Sequence, residues 1–401
     1  MKALVYFTSF GDSYGGSEYL PLLFVEELQR TCDVTLALNW PSDVARAARH
    51  YEVNIDFSRL QVVTLKPEGK FLRRLDAVIP FCTVRKLKRL ARTADIRISC
   101  ANMIDFGRPG HHFIYLMRLF GDNAFNDFVF HRPPLRGLAA LRRKVRTLVA
   151  ETVLRPLLGV RSVRRMLRDP RERFYANSEY VARTMRAFYG DFANRTLYPP
   201  TVFEPGDALM TTVRDPLRVV YIGRLIPEKR VLEALQVVAR ARQLCGADLR
   251  FAVAGKFTDP AYAERLKAFA AENGWVEFVG EVYREEKARF LCSGTYAVHT
   301  RLDEEFGIAV AEYLKCGVIP VVPQEGGSPE VVGNPSLAYG DLEEAAKILV
   351  RLVRETPFRD DMGAHCRQRA QAFTPAAYRT AQTQVLRQIV TEAQAERQHR
   401  R

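Results

Sequence analysis

Three stretches in the second half of the 401-residue chain carry residues suited to holding a diphosphate. The first is Tyr221-Ile222-Gly223-Arg224, an apolar strand closed by Gly and Arg, with Lys229 following in RLIPEKR. Open α/β sheets bind ligands at the carboxyl ends of their strands. Gly223 would let the backbone approach such a ligand, and Arg224 and Lys229 would reach its phosphates. Taken alone, the same residues fit a solvated turn with surface cations. The second stretch, DEEFGIAVAEYLKCG, sets Phe306-Gly307 directly before a helix expected from about Ile308 to Cys316. The free N–H groups and dipole of a helix start favour an anion. Glu304 falls on the loop and Glu312 about one turn inside the helix. Carboxylates beside a phosphate would repel it, so the hydroxyls of a sugar or a ribose are their more natural partners. An amphipathic helix with two incidental acids is the plainer alternative. The third stretch, GGSPEVVG, follows the strand VIPVVP and opens more backbone amides toward the same crevice.

These stretches need a scaffold, and the hydrophobic pattern supplies one. LRVVYIG, LRFAVAG, VEFVG, AVHT and VIPVVP read as short buried strands alternating with helices such as VLEALQVVARARQL and PAYAERLKAFAAENG. That alternation predicts a doubly wound parallel sheet. The first half repeats the pattern less cleanly, from the opening strand Ala3–Thr8 through DVTLAL, LQVVTL, IRISC and FIYLM, then FYANSEYVARTMRAFYG with Ser178 as helix cap. Three prolines between Pro199 and Pro205 break regular structure and mark a linker. The expected organisation is α/β, with an amino-terminal domain over 1–200, a donor-type domain over 201–374, and a polar helix over 375–401 crossing back to the first domain.

Charge separates the halves. Residues 1–200 hold 33 Lys and Arg against 19 acids, an excess of 14, whereas 201–401 hold 27 of each. The segment 132–173 alone has 13 cations and 3 acids among Leu- and Val-rich helices. An anionic partner is implied for the first half. Basic amphipathic helices point to an anionic membrane surface, with a solvated arginine-rich face as the simpler reading. The charge lacks the interleaved aromatics of a nucleic-acid stripe, so nucleic acid is not expected. No apolar run spans a bilayer and the start lacks a secretory pattern. Seven scattered cysteines without a CxxC pair suggest reduced thiols and no zinc site. A cytoplasmic protein, peripheral on the inner face of a membrane, is the expectation.

The blocks YIGRLIPEKR, FAVAG, VEFVGEV, AVHTRLDEEFGIAVAEYLKCGVIPVV and EGGSPEVVG resemble, in order and spacing, the retaining glycosyltransferases of family four. GGSEYL, YANSEYVA and YPP extend the likeness more weakly into the first half, to about two-thirds of the chain. The wording around Glu304 is similar to the subgroup of mannosyltransferases that extends lipid-linked oligosaccharides. The resemblance implies a GT-B fold of two Rossmann-like domains facing each other across a cleft, and transfer of a sugar from a nucleotide-diphosphate donor with retention. It implies that Arg224 and Lys229 neutralise the diphosphate, Glu312 holds the ribose and Glu304 the transferred sugar. It further implies that Phe306, Gly307 and Ile308 offer amides to the β-phosphate, that Gly280 and Val282 contact the base, and that Gly15 and Gly16 approach the phosphates from the first domain. No cofactor or metal is expected: no DxD motif closes a strand, and Asp360-Asp361 falls in a late helical segment. The charge work would then fall to cations and helix amides. The acceptor would be a lipid-linked, membrane-proximal or otherwise anionic glycan.

One departure touches the first domain. Where relatives often carry a tyrosine-x-histidine, this chain reads Tyr115-Leu116-Met117, leaving His111, His112 and His131 as acceptor-side candidates. His299 is expected to pack or orient the loop after AVHT. Two other classes use the same architecture: an isomerase or epimerase of nucleotide sugars, and a non-catalytic carbohydrate-binding protein.

Overall fold

The computed structural model describes residues 1–11, 16–66, 81–115, 123–129, 137–192, 194–201, 205–211 and 213–399. The chain divides into two compact units, one of Met1–Leu197 with Arg379–Arg401, the other of Tyr198–Tyr378. Each is built on a parallel sheet.

The first unit contains β1 (Lys2–Phe7), β2 (Asp33–Leu38), β3 (Leu60–Thr64), β4 (Ile96–Ser99), β5 (His111–Ile114), β6 (Arg173–Ala176) and β7 (Asn194–Thr196). They lie in the order β3-β2-β1-β4-β5-β6-β7. The second contains β8 (Asp215–Ile222), β9 (Arg250–Ala254), β10 (Val276–Gly280), β11 (Gly294–Val298), β12 (Ile319–Pro323) and β13 (Ala338–Tyr339), ordered β10-β9-β8-β11-β12-β13. Both sheets run outward in two directions from their first strand. The reversal falls between β1 and β4 in one unit and between β8 and β11 in the other, and such reversals open the crevice in which doubly wound sheets bind ligands.

The strands are near-continuous apolar runs because helices cover both faces. Val219, Val220, Phe251, Val253, Tyr296, Val298, Val321 and Val322 are all buried, beneath helices such as Val231–Cys245 and Leu342–Arg354. Ser178 caps the helix Glu179–Tyr189, its Oγ accepting the Val181 N–H at 3.1 Å. The helix Pro375–His399 reaches the first unit, where Arg379 pairs with Glu26 at 2.7 Å.

The fifth strand differs from its expected position. It covers HHFI rather than FIYLM, since His111 to Ile114 register against Arg173 to Ala176 of β6. An imidazole serves here as a flat apolar ring: His112 stacks between Phe106 and Phe174, at 5.7 and 5.4 Å between ring centres.

An ion cluster lies beside this strand. Asp105 receives Lys88 Nζ at 2.7 Å and Arg161 Nε at 2.8 Å, while Glu172 receives Arg161 Nη2 at 2.6 Å, the Gly110 N–H at 2.7 Å and His112 Nε2 at 2.9 Å. Burial opposes ionisation of Asp105, but the hydrogen bonds from Arg161 and Lys88 outweigh it and hold its carboxyl below the usual range. Its stabilising effect is therefore present above the ordinary carboxylate pKa and is lost as pH falls through the lowered one.

One helix departs from the burial pattern. Gly137–Val149 continues through a π turn at Ala150–Leu154 into Arg155–Leu157. Leu138, Leu141, Val145 and Leu148, spaced three or four residues apart along one face, are 71, 57, 51 and 59% exposed. Arg142 and Lys144 flank that face. No helix among the described residues is long and apolar enough to cross a membrane.

Asp105→Asn should lower unfolding stability by roughly 3 kcal/mol at neutral pH, because it leaves Lys88 without its carboxylate and Arg161 with Glu172 alone. The deficit should shrink toward pH 3 as the wild-type carboxyl itself protonates. Urea titrations of both proteins across that range check this, and a deficit independent of pH would contradict it.

Candidate functional site

The reversal in the second sheet brings Lys229 and Glu304 together just before the helix Ile308–Lys315. β8 ends at Ile222, followed by Gly223 and Arg224, and the neighbouring β11 ends at Val298, followed by the loop that carries Glu304. The Ile222 N–H donates to the hydroxyl of Tyr313 at 3.0 Å, which ties the end of β8 to the helix Ile308–Lys315. Gly255 donates its N–H to the Gly280 carbonyl at 2.8 Å, and Gly223 donates to Ala254 at 3.1 Å, so the ends of β8, β9 and β10 abut. A Cβ on Gly255 would fall 1.8 Å from the Gly223 oxygen, so only glycine lets the two backbones approach this closely.

Lys229 ends a single 3-10 turn, Pro227–Lys229, held from β11's side by Thr300, whose Oγ1 donates to the carbonyls of Lys229 and Arg230 at 3.2 and 2.7 Å. Its Nζ lies 2.6 Å from Glu304 Oε2. Arg301 reaches the other oxygen, with Nη1 3.3 Å from Glu304 Oε1, and also contacts Asp303 and Glu305 at 3.2 Å each. Burial opposes the charge on Glu304, but Lys229 outweighs it, with Arg301 and His299 adding, and the carboxyl is held well below its usual range. It is a permanent acceptor. His299 Nε2 sits 3.5 Å from the same carboxylate, too far for a good hydrogen bond, and burial lowers the imidazole pKa. His299 thus underlies the loop as a neutral ring.

The helix start is shaped for close approach. Gly307 is left-handed, at φ 98°, and precedes Ile308. The loop Gly326-Gly327 packs on it from above: the Gly327 N–H donates to the Glu304 carbonyl at 2.7 Å, and a Cβ on Gly326 would meet the Leu302 oxygen at 2.5 Å. Ser328 is fully buried, its hydroxyl has no partner among the described residues, and it lies 3.1 Å from where a Gly307 Cβ would be. A buried, unpaired hydroxyl beside the first-turn amides of Phe306, Gly307 and Ile308 is a further hydrogen-bond donor aimed at one small region.

Glu312 is 4% exposed and accepts Lys287 Nζ at 2.6 Å. Lys287, on the helix Arg284–Cys292, and Arg301 and Ser328 are contributors that sequence reading did not identify. Arg301 lies within the same loop motif as Glu304, and Ser328 within GGSPEVVG, so proximity in sequence could have flagged both. Nothing in the spacing links Lys287 to Glu312.

Of the other expected residues, Arg224 is exposed and its guanidinium pairs with no carboxylate among the described residues. Gly280 is left-handed at φ 89°, and Val282 packs half-buried against the core. Gly16 begins the helix Gly16–Leu28, whereas Gly15 and His131 lie outside the described residues. His111 and His112 are placed at the start of β5, the amino end of the sheet. His112 is fully buried against Glu172, and burial pushes His111 down to about 3.

Residues 211–369 match the sequence profile of the family described as glycosyl transferases group 1. That match falls within the second unit and covers less than half of the chain. The chain is 29% identical over 167 residues to the phosphatidylinositol N-acetylglucosaminyltransferase GPI3 subunit of Saccharomyces cerevisiae, covering 38% of this chain and 36% of that protein. It is 32% identical over 158 residues to a GDP-mannose-dependent alpha-(1-6)-phosphatidylinositol dimannoside mannosyltransferase of Mycobacterium tuberculosis, covering 39% and 40%. The chain thus matches well under half the length of these relatives. Over its whole length it shares the fold of Anabaena HepE, solved in complex with UDP and glucose: 16% identity, a TM-score of 0.64, 97% of this chain and 100% of that one. The fold is GT-B.

Lys287→Met should destabilise the second unit by about 3 kcal/mol, by leaving the Glu312 carboxylate buried and unpaired. Adding Glu312→Gln should recover most of that loss. Equal stability of the single and double variants in urea would argue against the coupling.

Proposed function

We propose that this protein transfers a sugar from a nucleotide-diphosphate donor to an acceptor hydroxyl, the donor lying at the carboxyl ends of β8 and β11. The observation that carries the reading is the Lys229–Glu304 pair, at 2.6 Å, set against the left-handed Gly307 and the helix start. On this reading the cation meets the diphosphate and the carboxylate meets its sugar. Glu304, neutralised by Lys229 and Arg301, does not repel a neighbouring phosphate and can still accept from sugar hydroxyls. Glu312, deeper in the helix, is suited to ribose hydroxyls once Lys287 shares it.

In the reaction the bond between the anomeric carbon and the β-phosphate oxygen breaks, the acceptor oxygen bonds to that carbon, and the acceptor proton leaves. Negative charge accumulates on the departing diphosphate. Arg224, Lys229, the amides of Phe306, Gly307 and Ile308, and the Ser328 hydroxyl oppose it, each well-aimed donor contributing roughly 3 kcal/mol. On this account no metal is required, and configuration is retained, as the family resemblance implies. The named acceptors of the yeast and mycobacterial relatives are phosphatidylinositol-based, which supports a lipid-linked acceptor here. The isomerase and binding-protein readings have no comparable support.

The helix 137–157 supports attachment to an anionic bilayer: its exposed Leu and Val face would enter the interface while Arg142 and Lys144 stay at headgroup level. The protein would then work at the cytoplasmic face of a membrane.

Glu312→Ala and Lys229→Ala should each reduce transfer or donor hydrolysis at least about tenfold, or ~1.4 kcal/mol, with radiolabelled nucleotide sugars. Undiminished rates in both variants would remove the proposed donor site, and interconversion of donors without transfer would favour an isomerase. In flotation assays the protein should rise with anionic vesicles and remain behind with neutral ones, and Leu141→Ser/Leu148→Ser should weaken the association. Equal flotation with both vesicle types at low salt would contradict membrane docking.

A further inference from the structure

We propose that two adjoining basic cavities in the first unit, divided by Lys88, form a binding site for the phosphomonoester headgroup of an anionic lipid. Each cavity has a volume of about 390 Å³. Arg85, Arg89 and Arg92 line one, over an apolar floor of Phe81, Val84 and Leu158. Arg165, Arg168 and Arg171 line the other.

The dividing lysine is fixed from within. Its Nζ donates to the Gly159 carbonyl at 2.5 Å and meets Asp105 at 2.7 Å, and its chain crosses Gly107, where a Cβ would lie 3.0 Å from Lys88 Cδ. Arg161, in the second cavity, is held by Asp105 and Glu172. The charges of Lys88 and Arg161 are therefore answered by buried carboxylates. Those of the rim are not: among the described residues no carboxylate pairs with Arg85, Arg89, Arg92, Arg165 or Arg168. Asp169, the one acid in the two walls, is already engaged by Arg171. Five unanswered guanidiniums around two small cavities repel one another unless an anion lies between them, and their planar forks match phosphate oxygens.

The cavities are not a second copy of the donor crevice. Gly110 and Glu172 immediately precede β5 and β6, so the ion cluster lies at the amino ends of these strands. A lipid is favoured as the source of the phosphate because Leu158 and Gly159, in the wall of the first cavity, directly follow the helix 137–157 with its exposed apolar face. That choice of source rests on the membrane reading above.

The test uses the full chain and vesicles of phosphatidylcholine carrying either phosphatidic acid, a monoester, or phosphatidylglycerol, a diester, at equal surface charge. Wild type should prefer phosphatidic acid. Arg89→Gln/Arg165→Gln/Arg168→Gln should lose that preference and bind about tenfold less or weaker. Arg30→Gln/Arg183→Gln/Lys347→Gln, with the same charge removed elsewhere, should keep it, and nucleotide binding should be unchanged in both. No preference in wild type, or equal weakening by the two triple variants, overturns the site. Calorimetry with glycerol 3-phosphate separates site from membrane: binding of the soluble ester without any flotation overturns the lipid assignment and the membrane reading together, while flotation without a monoester effect overturns the site alone.

Discussion

Lys229 and Glu304 come from different strand ends, and their contact depends on the reversal between β8 and β11. A lysine and a glutamate at 2.6 Å with little exposure to solvent are costly unless each has further partners. Here Thr300 fixes the backbone of Lys229, Arg301 takes the second oxygen of Glu304, and the Gly327 N–H takes its carbonyl. The Gly326-Gly327 loop packs against the Glu304 loop, and the buried Ser328 lies beside Gly307. The sheet's topology, rather than any one residue, makes a site of side chains spread from Arg224 to Ser328.

The two units carry different burdens. In the second unit cations and carboxylates nearly balance, 22 against 25, and the Lys229–Glu304 pair lies at the carboxyl ends of the central strands of a well-buried sheet. The first unit is basic, with 38 cations against 21 acids, an ion cluster beside β5, an apolar face left in solvent on the helix 137–157, and, among the described residues, arginines without a carboxylate partner next to its end. On the proposed function such a division would suit a soluble donor and a surface-bound acceptor, with charge-balanced groups for the one and an adhesive face for the other.

Much of this was legible in the residues. Apolar runs bounded by glycine fix parallel strands, because strands covered on both faces have no need for polar alternation. The order of Gly307 directly before the helix from Ile308, with Glu304 on the loop and Glu312 inside the helix, was likewise plain from spacing. What could not be read depends on contacts between distant segments. Lys287 meets Glu312 only because the helix Arg284–Cys292 crosses beside the helix Ile308–Lys315. Likewise His111 and His112, polar by type, lie in a strand, because stacking on Phe106 and Phe174 and the Glu172 carboxylate satisfy His112 there. A histidine's role cannot be taken from its letter when its partners lie sixty residues away.

The central claim is that Lys229, Glu304 and the start of the helix Ile308–Lys315 surround one diphosphate. A crystal structure with a bound nucleoside diphosphate tests it most directly. The account predicts the β-phosphate about 3 Å from the amides of Gly307 and Ile308 and from Lys229 Nζ, with ribose hydroxyls on Glu312. A nucleotide bound elsewhere, with the Lys229–Glu304 pair untouched, would contradict it.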